Sequence, residues 1–251
     1  MLLFKAWKES QTRFLLSAAT IAILCTMVVL LYLQVQRHPA QIPPDLRTGS
    51  YSEHVYLFIY RGTAKGLFTI LVLFLGLGGL LRERRRGTAP GTLALPATRT
   101  ELVVIQIVVG LLEVVAIAAL PVLLIPTLSP LVSQSYPVTE SLHFALLWLG
   151  GGVMVFGLAF LCSALLPGEY TALVVAFLGL FGVPLVARVP ALEPYHVNFL
   201  VTMGDFGTMH WNPAHSLLLP SPMPWIRLLV FCGIAMLLLW AALQVTKRQD
   251  F

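Results

Sequence analysis

The chain has 251 residues, of which 58% are hydrophobic and 11% are charged, and its mean hydropathy is +0.86. Soluble domains carry about 25% charged residues, so this composition excludes a soluble globular protein. The formal net charge of +5 does not indicate nucleic-acid binding, because the basic residues cluster at the ends of apolar segments, where membrane orientation and anionic headgroups favour them. The composition predicts an all-α polytopic membrane protein.

Six apolar segments are long enough to cross a bilayer, which takes about 20 residues. They are residues 14–35, 60–81, 102–125, 144–166, 171–187 and 225–245. The first is too long for the apolar region of a signal peptide, so we expect a retained span. The three cysteines, Cys25, Cys162 and Cys232, lie inside apolar runs without paired spacing and predict neither a disulfide nor a metal site.

The basic residues predict the orientation. Ten flank one side of the spans: Lys5, Lys8, Arg13, Arg82, Arg84, Arg85, Arg86, Arg99, Lys247 and Arg248. Six flank the other side: Arg37, Arg47, Arg61, Lys65, Arg188 and Arg227. Because cytoplasmic loops carry the excess of Lys and Arg, we expect the first side, with both termini, to be cytoplasmic. Arg61 and Lys65 then lie near the outer end of the second span.

The first thirteen residues form an amphipathic pattern, in which Leu2, Leu3, Phe4 and Trp7 alternate with charged residues. The pattern predicts a helix in the cytoplasmic interface, anchored by Lys5, Trp7 and Lys8, that leads into the first span. The alternative is an ordinary positively charged flank.

Residues 188–224 mix apolar side chains with Gly, Pro and His. Such a segment is too polar to span and too apolar to be free in water, so we expect a re-entrant or interfacial pair of short helices outside the membrane. Its Met and His residues are of the types that bind copper, but they form no closely spaced pair. A structural role is therefore favoured, and no metal site is predicted.

The loop between the second and third spans carries the most specific motif. After Leu81 it reads Arg82-Glu83-Arg84-Arg85-Arg86-Gly87-Thr88, followed by Leu93-Ala94-Leu95-Pro96-Ala97-Thr98-Arg99. Glu83, the Gly87-Thr88 pair and the Leu93-x-x-Pro96-x-x-Arg99 stretch at this junction resemble the permease subunit of an ABC-2-type transporter. The resemblance covers the whole chain in architecture, but only this loop in motif.

The resemblance implies that residues 82–101 form a cytoplasmic coupling loop, which docks on a separate ABC ATP-binding subunit. The implied docking residues are Glu83, Arg84, Arg85, Gly87, Thr88, Pro96 and Arg99. It also implies export, a second copy or a paralogue as membrane partner, contacts with lipids, and a bacterial inner-membrane location. ATP and magnesium would bind to the partner, because this chain contains no Gly-x-x-x-x-Gly-Lys-Ser/Thr motif. We expect no cofactor and no enzymatic activity in the chain itself.

Glu113 is a carboxylate inside the third apolar segment. A charge in hydrocarbon is costly, so the side chain should face protein or water. It could line a substrate path or hold a helix interface, and the sequence does not decide between them.

Two alternative function classes are an intramembrane hydrolase and a membrane scaffold. An intramembrane hydrolase would need a nucleophile with a base, paired aspartates or a His-Glu metal set within the spans, and the sequence has none of these motifs. A membrane scaffold or assembly factor would need only spans and a docking loop, so it remains the main alternative.

Overall fold

A computed structural model of the chain describes residues 2–37, 50–77, 98–166, 168–186, 203, 210–212, 217–219 and 223–248. Helices dominate this part of the chain. We number them α1 (Leu2–Arg37), α2 (Tyr51–Val55), α3 (Thr63–Gly76), α4 (Arg99–Leu128), α5 (Val138–Leu165), α6 (Glu169–Val186) and α7 (Trp225–Arg248). A π-helical segment, Tyr56–Arg61, joins α2 to α3, and a short 3₁₀ helix, Ser129–Val132, follows α4.

Five stretches of the described chain are long and apolar enough to cross a membrane: Leu2–Arg37, Tyr51–Gly76, Thr100–Val132, Val138–Leu165 and Trp225–Arg248. The predicted helical membrane architecture is therefore confirmed in outline. The fifth predicted span corresponds to α6, whose described apolar part, Tyr170–Leu180, is shorter than the other five.

The helix α1 is continuous over 36 residues. It contains both the predicted interfacial segment and the first predicted span, with no break between them. At 1.5 Å per residue it is about 54 Å long, whereas the hydrocarbon core is about 30 Å thick. Much of α1 must therefore extend beyond the hydrocarbon.

The second span begins earlier than the predicted residue 60. Ser50 caps α2, because its side chain accepts a hydrogen bond from the Glu53 N–H group at 3.2 Å. The helix then changes to the π form and ends at Gly62, where a Cβ atom would lie 2.3 Å from the Leu57 carbonyl oxygen. Only glycine fits there, and α3 continues the span from Thr63. Sequence periodicity misses this start because residues 50–56 are moderately polar.

The helix α5 occupies the centre of the bundle and packs against α3, α4, α6 and α7. Its most apolar stretch is 67% buried, against 28% to 39% for the other four candidate spans. Glycines allow its neighbours to approach closely: Gly150 lies against Leu228 of α7, and Gly152 against Phe68 of α3. The small residues of α5 therefore serve helix packing.

Aromatic side chains fill the core between the second span and α5. Tyr60 stacks on Phe144 at 4.1 Å between ring centroids, and Phe68 stacks on Trp148 at 4.9 Å. Trp148 also meets the edge of the Tyr60 ring at 5.8 Å. The hydroxyl group of Tyr60 is satisfied by a hydrogen bond, which it donates to Ser141 Oγ at 3.2 Å. This layer fixes the second span against the central helix.

Tyr136 lies in the loop between the 3₁₀ helix and α5. Its ring packs edge-on against that of Tyr51, with the ring centroids 6.3 Å apart. Burial raises the pKa of the Tyr136 phenol well above its ordinary value. The hydroxyl therefore stays neutral at any physiological pH, as a buried group should.

The segment before α7 differs from its prediction where it is described. His210–Asn212 pairs antiparallel with Leu217–Leu219, so these residues form a small β-hairpin and not short helices. Backbone pairing between two short extended stretches satisfies their polar groups as a helix would. Within the same segment, Met203 is fully buried against Gly151 of α5.

We expect Gly76→Ala to destabilise the protein by about 1–3 kcal/mol, the range for overpacking. A Cβ atom at Gly76 would lie 2.8 Å from the Phe156 carbonyl oxygen and 2.7 Å from Ala159 Cβ, so α3 and α5 would have to separate. Gly66→Ala on the same helix is the matched control, because no atom lies within 4 Å of its Cβ position. The unfolding midpoints of the two variants are measured in detergent. Equal midpoints would contradict the close packing of α3 against α5 at Gly76.

Candidate functional site: the inner end of the bundle and the break in the second span

Six of the predicted docking residues lie outside the described residues: Glu83, Arg84, Arg85, Gly87, Thr88 and Pro96. The seventh, Arg99, is the first residue of α4, and only its backbone is described. The structure therefore describes the helices on either side of the predicted coupling loop, and not the loop itself.

The chain enters α4 through a capping box. The Thr98 N–H group donates to Glu101 Oε2 at 2.8 Å, and the Glu101 N–H group donates to Thr98 Oγ1 at 3.3 Å. These bonds satisfy backbone donors that would otherwise be free at a helix start. The start of α4 at residue 99 is therefore well defined.

The N-terminal part of α1 contacts both helices that flank the predicted loop. Arg13 Nη1 donates to the Phe74 carbonyl oxygen at 3.4 Å, in the last turn of α3. A cation is favourable there, because the final carbonyls of a helix carry partial negative charge. Ser10 Oγ donates to Glu113 Oε1 of α4. The start of α1, the end of α3 and the first half of α4 therefore meet at one end of the bundle, which we call the inner end.

Glu113 is only 2% exposed. Besides accepting the hydrogen bond from Ser10, its carboxylate lies close enough to the Arg13 guanidinium for electrostatic attraction. It faces a cavity of about 40 Å³, which is also lined by Ala6, Glu9, Leu75, Gln106, Val109, Gly110, Phe156 and Phe160.

The cavity has room for only a few water molecules. Cargo sites for drug-sized molecules are about 300–1,000 Å³, so the cavity is far too small for such a cargo. Of the two roles left open for Glu113, the geometry favours the helix interface, because the carboxylate joins α4 to α1 through Ser10.

The three predicted interfacial residues lie in the first turns of α1. Lys5 pairs with Glu9 at 3.7 Å, and Trp7 packs its ring 5.2 Å from that of Phe14. Lys8 is exposed, as are Leu3 and Phe4. Large apolar side chains exposed next to lysines are typical of a helix that lies at a headgroup boundary.

Arg61 and Lys65 lie within the second span, because that span starts earlier than predicted, at Tyr51. Two contacts align the second span with α1, which runs in the opposite direction: Arg13 with Phe74, and His54 Nε2 with the Val28 carbonyl oxygen at 3.1 Å. The Tyr60 hydroxyl bonds to Ser141 and its ring stacks on Phe144, so the neighbouring Arg61 lies beside the first turns of α5.

Arg61 is exposed and Lys65 is half-buried. Thr63 and Gly66 are also exposed. Arg61 is the last residue of the π-helical segment, and such segments occur frequently at functional sites.

The other spans expose a different chemistry. Within residues 14–33 of α1, 102–126 of α4 and 226–246 of α7, the exposed large side chains are apolar and suit lipid: Leu15, Leu16, Ile23, Met27, Leu30, Leu31, Val104, Val108, Leu112, Val115, Leu123, Ile226, Leu229, Val230, Ile234, Met236, Leu237 and Trp240. Arg61 and Lys65 differ from these apolar surfaces. The signal in the sequence was the Arg-Gly-Thr interruption of an apolar run.

Among the described residues, no group of three or more His, Cys, Asp and Glu side chains could hold a metal ion. No family model, curated protein or solved structure matches this chain. The likeness to a transporter subunit therefore depends on the motif from Glu83 to Arg99.

Proposed function

We propose that this chain is the membrane-spanning permease subunit of an ABC-2-type exporter, driven by ATP hydrolysis on a separate subunit. The observation that carries the proposal is the motif Glu83, Gly87-Thr88, Pro96 and Arg99 between the second and third spans. The partner's ATP-binding surface would receive this loop, and the arginines would pair with its acidic residues. Two copies of the chain, or one copy and a paralogue, would enclose the transport path.

The contacts at the inner end support a coupling role for the loop. Because Arg13 contacts α3 and Ser10 contacts α4, α1 links the two helices on either side of the loop. The Thr98–Glu101 capping box gives α4 a well-defined start directly after the loop.

We propose six spans, with both termini in the cytoplasm of a bacterial inner membrane. The packing direction of α7 supports this number: Leu228 lies against Gly150, and Ala235 against Gly157, so α7 runs parallel to α5. The chain must therefore return across the bundle between them. The helix α6 is the described element that can do so, since it follows α5 directly and its Gly179 contacts Leu158.

This topology predicts the accessibility of single cysteines in intact cells. Ser135→Cys, in the exposed loop before α5, should react with a membrane-impermeant thiol reagent. Cysteines that replace Gln11 in α1 and Gln249 after α7 should react only after the cells are permeabilised. Reaction of Gln249→Cys in intact cells would mean an odd number of crossings.

A pull-down from mild detergent tests the proposed function. We expect the wild-type chain to retain an ATP-binding subunit, and the double variant Glu83→Ala, Arg99→Ala to lose it or to uncouple its ATPase activity. The variant Lys247→Ala, Arg248→Ala is the control, because it removes cytoplasmic charge without altering the loop.

If the intact wild-type chain retains no nucleotide-binding partner, the permease proposal is wrong. Binding of a protein partner that is indifferent to nucleotide would then favour the scaffold alternative. Hydrolytic activity in the isolated chain that survives the loop substitutions would favour an intramembrane hydrolase.

A further inference from the structure

The second span is irregular near its start. The chain is π-helical over Tyr56–Arg61, and the helix is broken at Gly62, where the backbone angle ψ is −131°, whereas an α-helix has a ψ of about −42°. The helix α2 precedes this segment and α3 follows it. Helices bend sharply at π segments. The second span therefore consists of two regular pieces joined by one irregular piece.

The helix α4 is irregular as well. Pro121 and Pro126 lie inside it, and neither has an N–H group to donate to the carbonyl oxygen four residues earlier. Directly after α4, Ser129 Oγ donates to the Ile125 carbonyl oxygen at 2.6 Å. Side-chain bonds of this kind also bend helices. The end of α4 therefore lacks part of the hydrogen bonding that keeps a helix straight.

Two contacts set the register of the second span against α4. The Tyr51 hydroxyl lies 2.8 Å from Ser129 Oγ, and both Phe68 and Val114 lie against one glycine of α5, Gly152. From the first contact to the second, seventeen residues pass along the second span and fifteen pass along α4 in the opposite direction. The π-helical segment, five to ten residues after Tyr51, therefore lies level with the first proline of α4, eight residues before Ser129.

The pieces beyond these two irregular segments pack against each other. Tyr51 of α2 shares a hydrogen bond with Ser129, and its ring packs edge-on against that of Tyr136. We call α2 and residues 127–136 the outer unit. Along the chain, the unit joins α3 through the π-helical segment and joins the rest of α4 through the two prolines. Bending at these two places would move the outer unit without disturbing the regular helices beyond them.

Those regular helices form a firm base. A Cβ atom at Gly76 of α3 would lie 2.8 Å from the Phe156 carbonyl oxygen, and one at Gly110 of α4 would lie 2.4 Å from the Phe156 ring. Glycine at both positions lets α3 and the first part of α4 pack closely against α5. The outer unit can therefore tilt against a part of the bundle that is held together separately.

The helix α1 is attached to the outer unit. His54 Nε2 bonds to the Val28 carbonyl oxygen at 3.1 Å, and the rings of Tyr32 and Tyr51 lie 5.0 Å apart. Over its 36 residues α1 contains neither Pro nor Gly, so it has no comparable bending point. It would follow a movement of the unit by tilting as one rod about its contacts at the inner end.

We propose that the π-helical segment and the two prolines of α4 form one hinge, at which the outer unit tilts relative to α3, α5 and the first part of α4. Hinges absorb a change of backbone angles over a few residues while the elements on either side stay rigid. In the proposed exporter, this tilt would open the outer end of the transport path. That purpose rests on the proposed permease function, whereas the hinge is a property of the chain itself.

The test measures a distance across the prolines in the full-length chain, in lipid nanodiscs. Spin labels are attached to Leu112→Cys and Leu131→Cys, which replace exposed side chains nineteen residues apart. Cys232 is replaced by alanine, and the buried Cys25 and Cys162 stay in place. Double electron–electron resonance then gives the distribution of distances, which for a straight helix would be centred at about 28 Å.

The pair Phe4→Cys and Ile23→Cys is the matched control. Both side chains are exposed, they are also nineteen residues apart, and α1 contains no proline. We expect the distribution across the prolines to be broader than that of the control by on the order of twofold, because proline removes bonds that keep a helix straight. Replacing Pro121 and Pro126 with alanine should narrow it to the width of the control.

A distribution across the prolines as narrow as that of the control, at any mean distance, would show a rigid helix and would overturn the hinge. This comparison uses the natural prolines, so it decides the question even if the alanine variant does not fold. A broad distribution that the two alanines leave unchanged would also overturn it, since fraying of the helix end would then account for the width.

The link between the two halves of the hinge has its own test. Tyr51→Phe removes the hydroxyl that joins α2 to Ser129, so it should alter the distribution between the labels at residues 112 and 131. An unchanged distribution would show that α2 and the end of α4 do not move as one unit. These measurements require neither nucleotide nor an ATP-binding subunit, so their failure is distinct from failure of the pull-down.

Discussion

Replacing Trp148 with alanine is expected to lower the free energy of unfolding by about 3–5 kcal/mol, the range for deletion of a large buried aromatic side chain. Trp148 is completely buried in α5, stacked on Phe68 and in edge contact with Tyr60. Its loss would leave a cavity where the second span meets the central helix. Reversible unfolding in mixed micelles measures the change, and the amount of protein in the membrane should fall with it.

Trp240→Ala is the control for this prediction. Trp240 lies on α7 and is 60% exposed on an apolar face. Its substitution removes a side chain of the same size. Surface substitutions change stability by about 0.5 kcal/mol or less, so this variant should unfold near the wild type. Similar losses for both variants would show that α5 is not the centre of the bundle.

The second large effect is expected at Glu113. Glu113→Ala should destabilise the protein by about 1–3 kcal/mol, because it leaves the partly buried Ser10 hydroxyl without its acceptor. Glu9→Ala, at the exposed rim of the same cavity, should cost less than about 1 kcal/mol.

A double-mutant cycle isolates the interaction at the inner end. If Arg13 and Glu113 act together, Arg13→Ala in the Glu113→Ala background should cost less than it does alone, because residues in contact are not additive. Strict additivity would show that α1 and α4 are not joined by these charges. The role of Glu113 as a helix-interface residue would then lose its support.

The sequence predicts the class of this protein well, because hydrophobic length decides which segments can span a bilayer. The helices α1, α4, α5 and α7 contain four of the predicted spans with small changes at the ends.

Hydrophobic length does not predict two features of the second span, namely its start and the position of its basic residues. The second span starts among moderately polar residues, where hydropathy is ambiguous, and its helical form depends on Tyr51 and Tyr60 packing against other helices. The position of Arg61 and Lys65 within the second span depends on where that span starts. Local sequence places both residues near its first turn, whereas the helix begins at Tyr51.

The inner-end cluster was predicted only in part. The sequence indicates that Glu113 needs a polar environment, but Ser10 is more than a hundred positions away and resembles any helical serine. The tertiary structure determines which residue contacts a buried charge, and local sequence does not show it. The docking residues Glu83 to Pro96 remain predictions, since they lie outside the described residues.

The most direct test of the permease account is ATP hydrolysis by the purified complex in lipid nanodiscs, measured for the wild type and for Glu83→Ala. We predict that the wild-type chain co-purifies with a subunit whose vanadate-sensitive ATPase activity depends on this chain. Glu83→Ala should lower that activity without unfolding the membrane domain. A wild-type chain that is folded and monodisperse, but carries no ATPase activity and no nucleotide-binding subunit, would contradict the account.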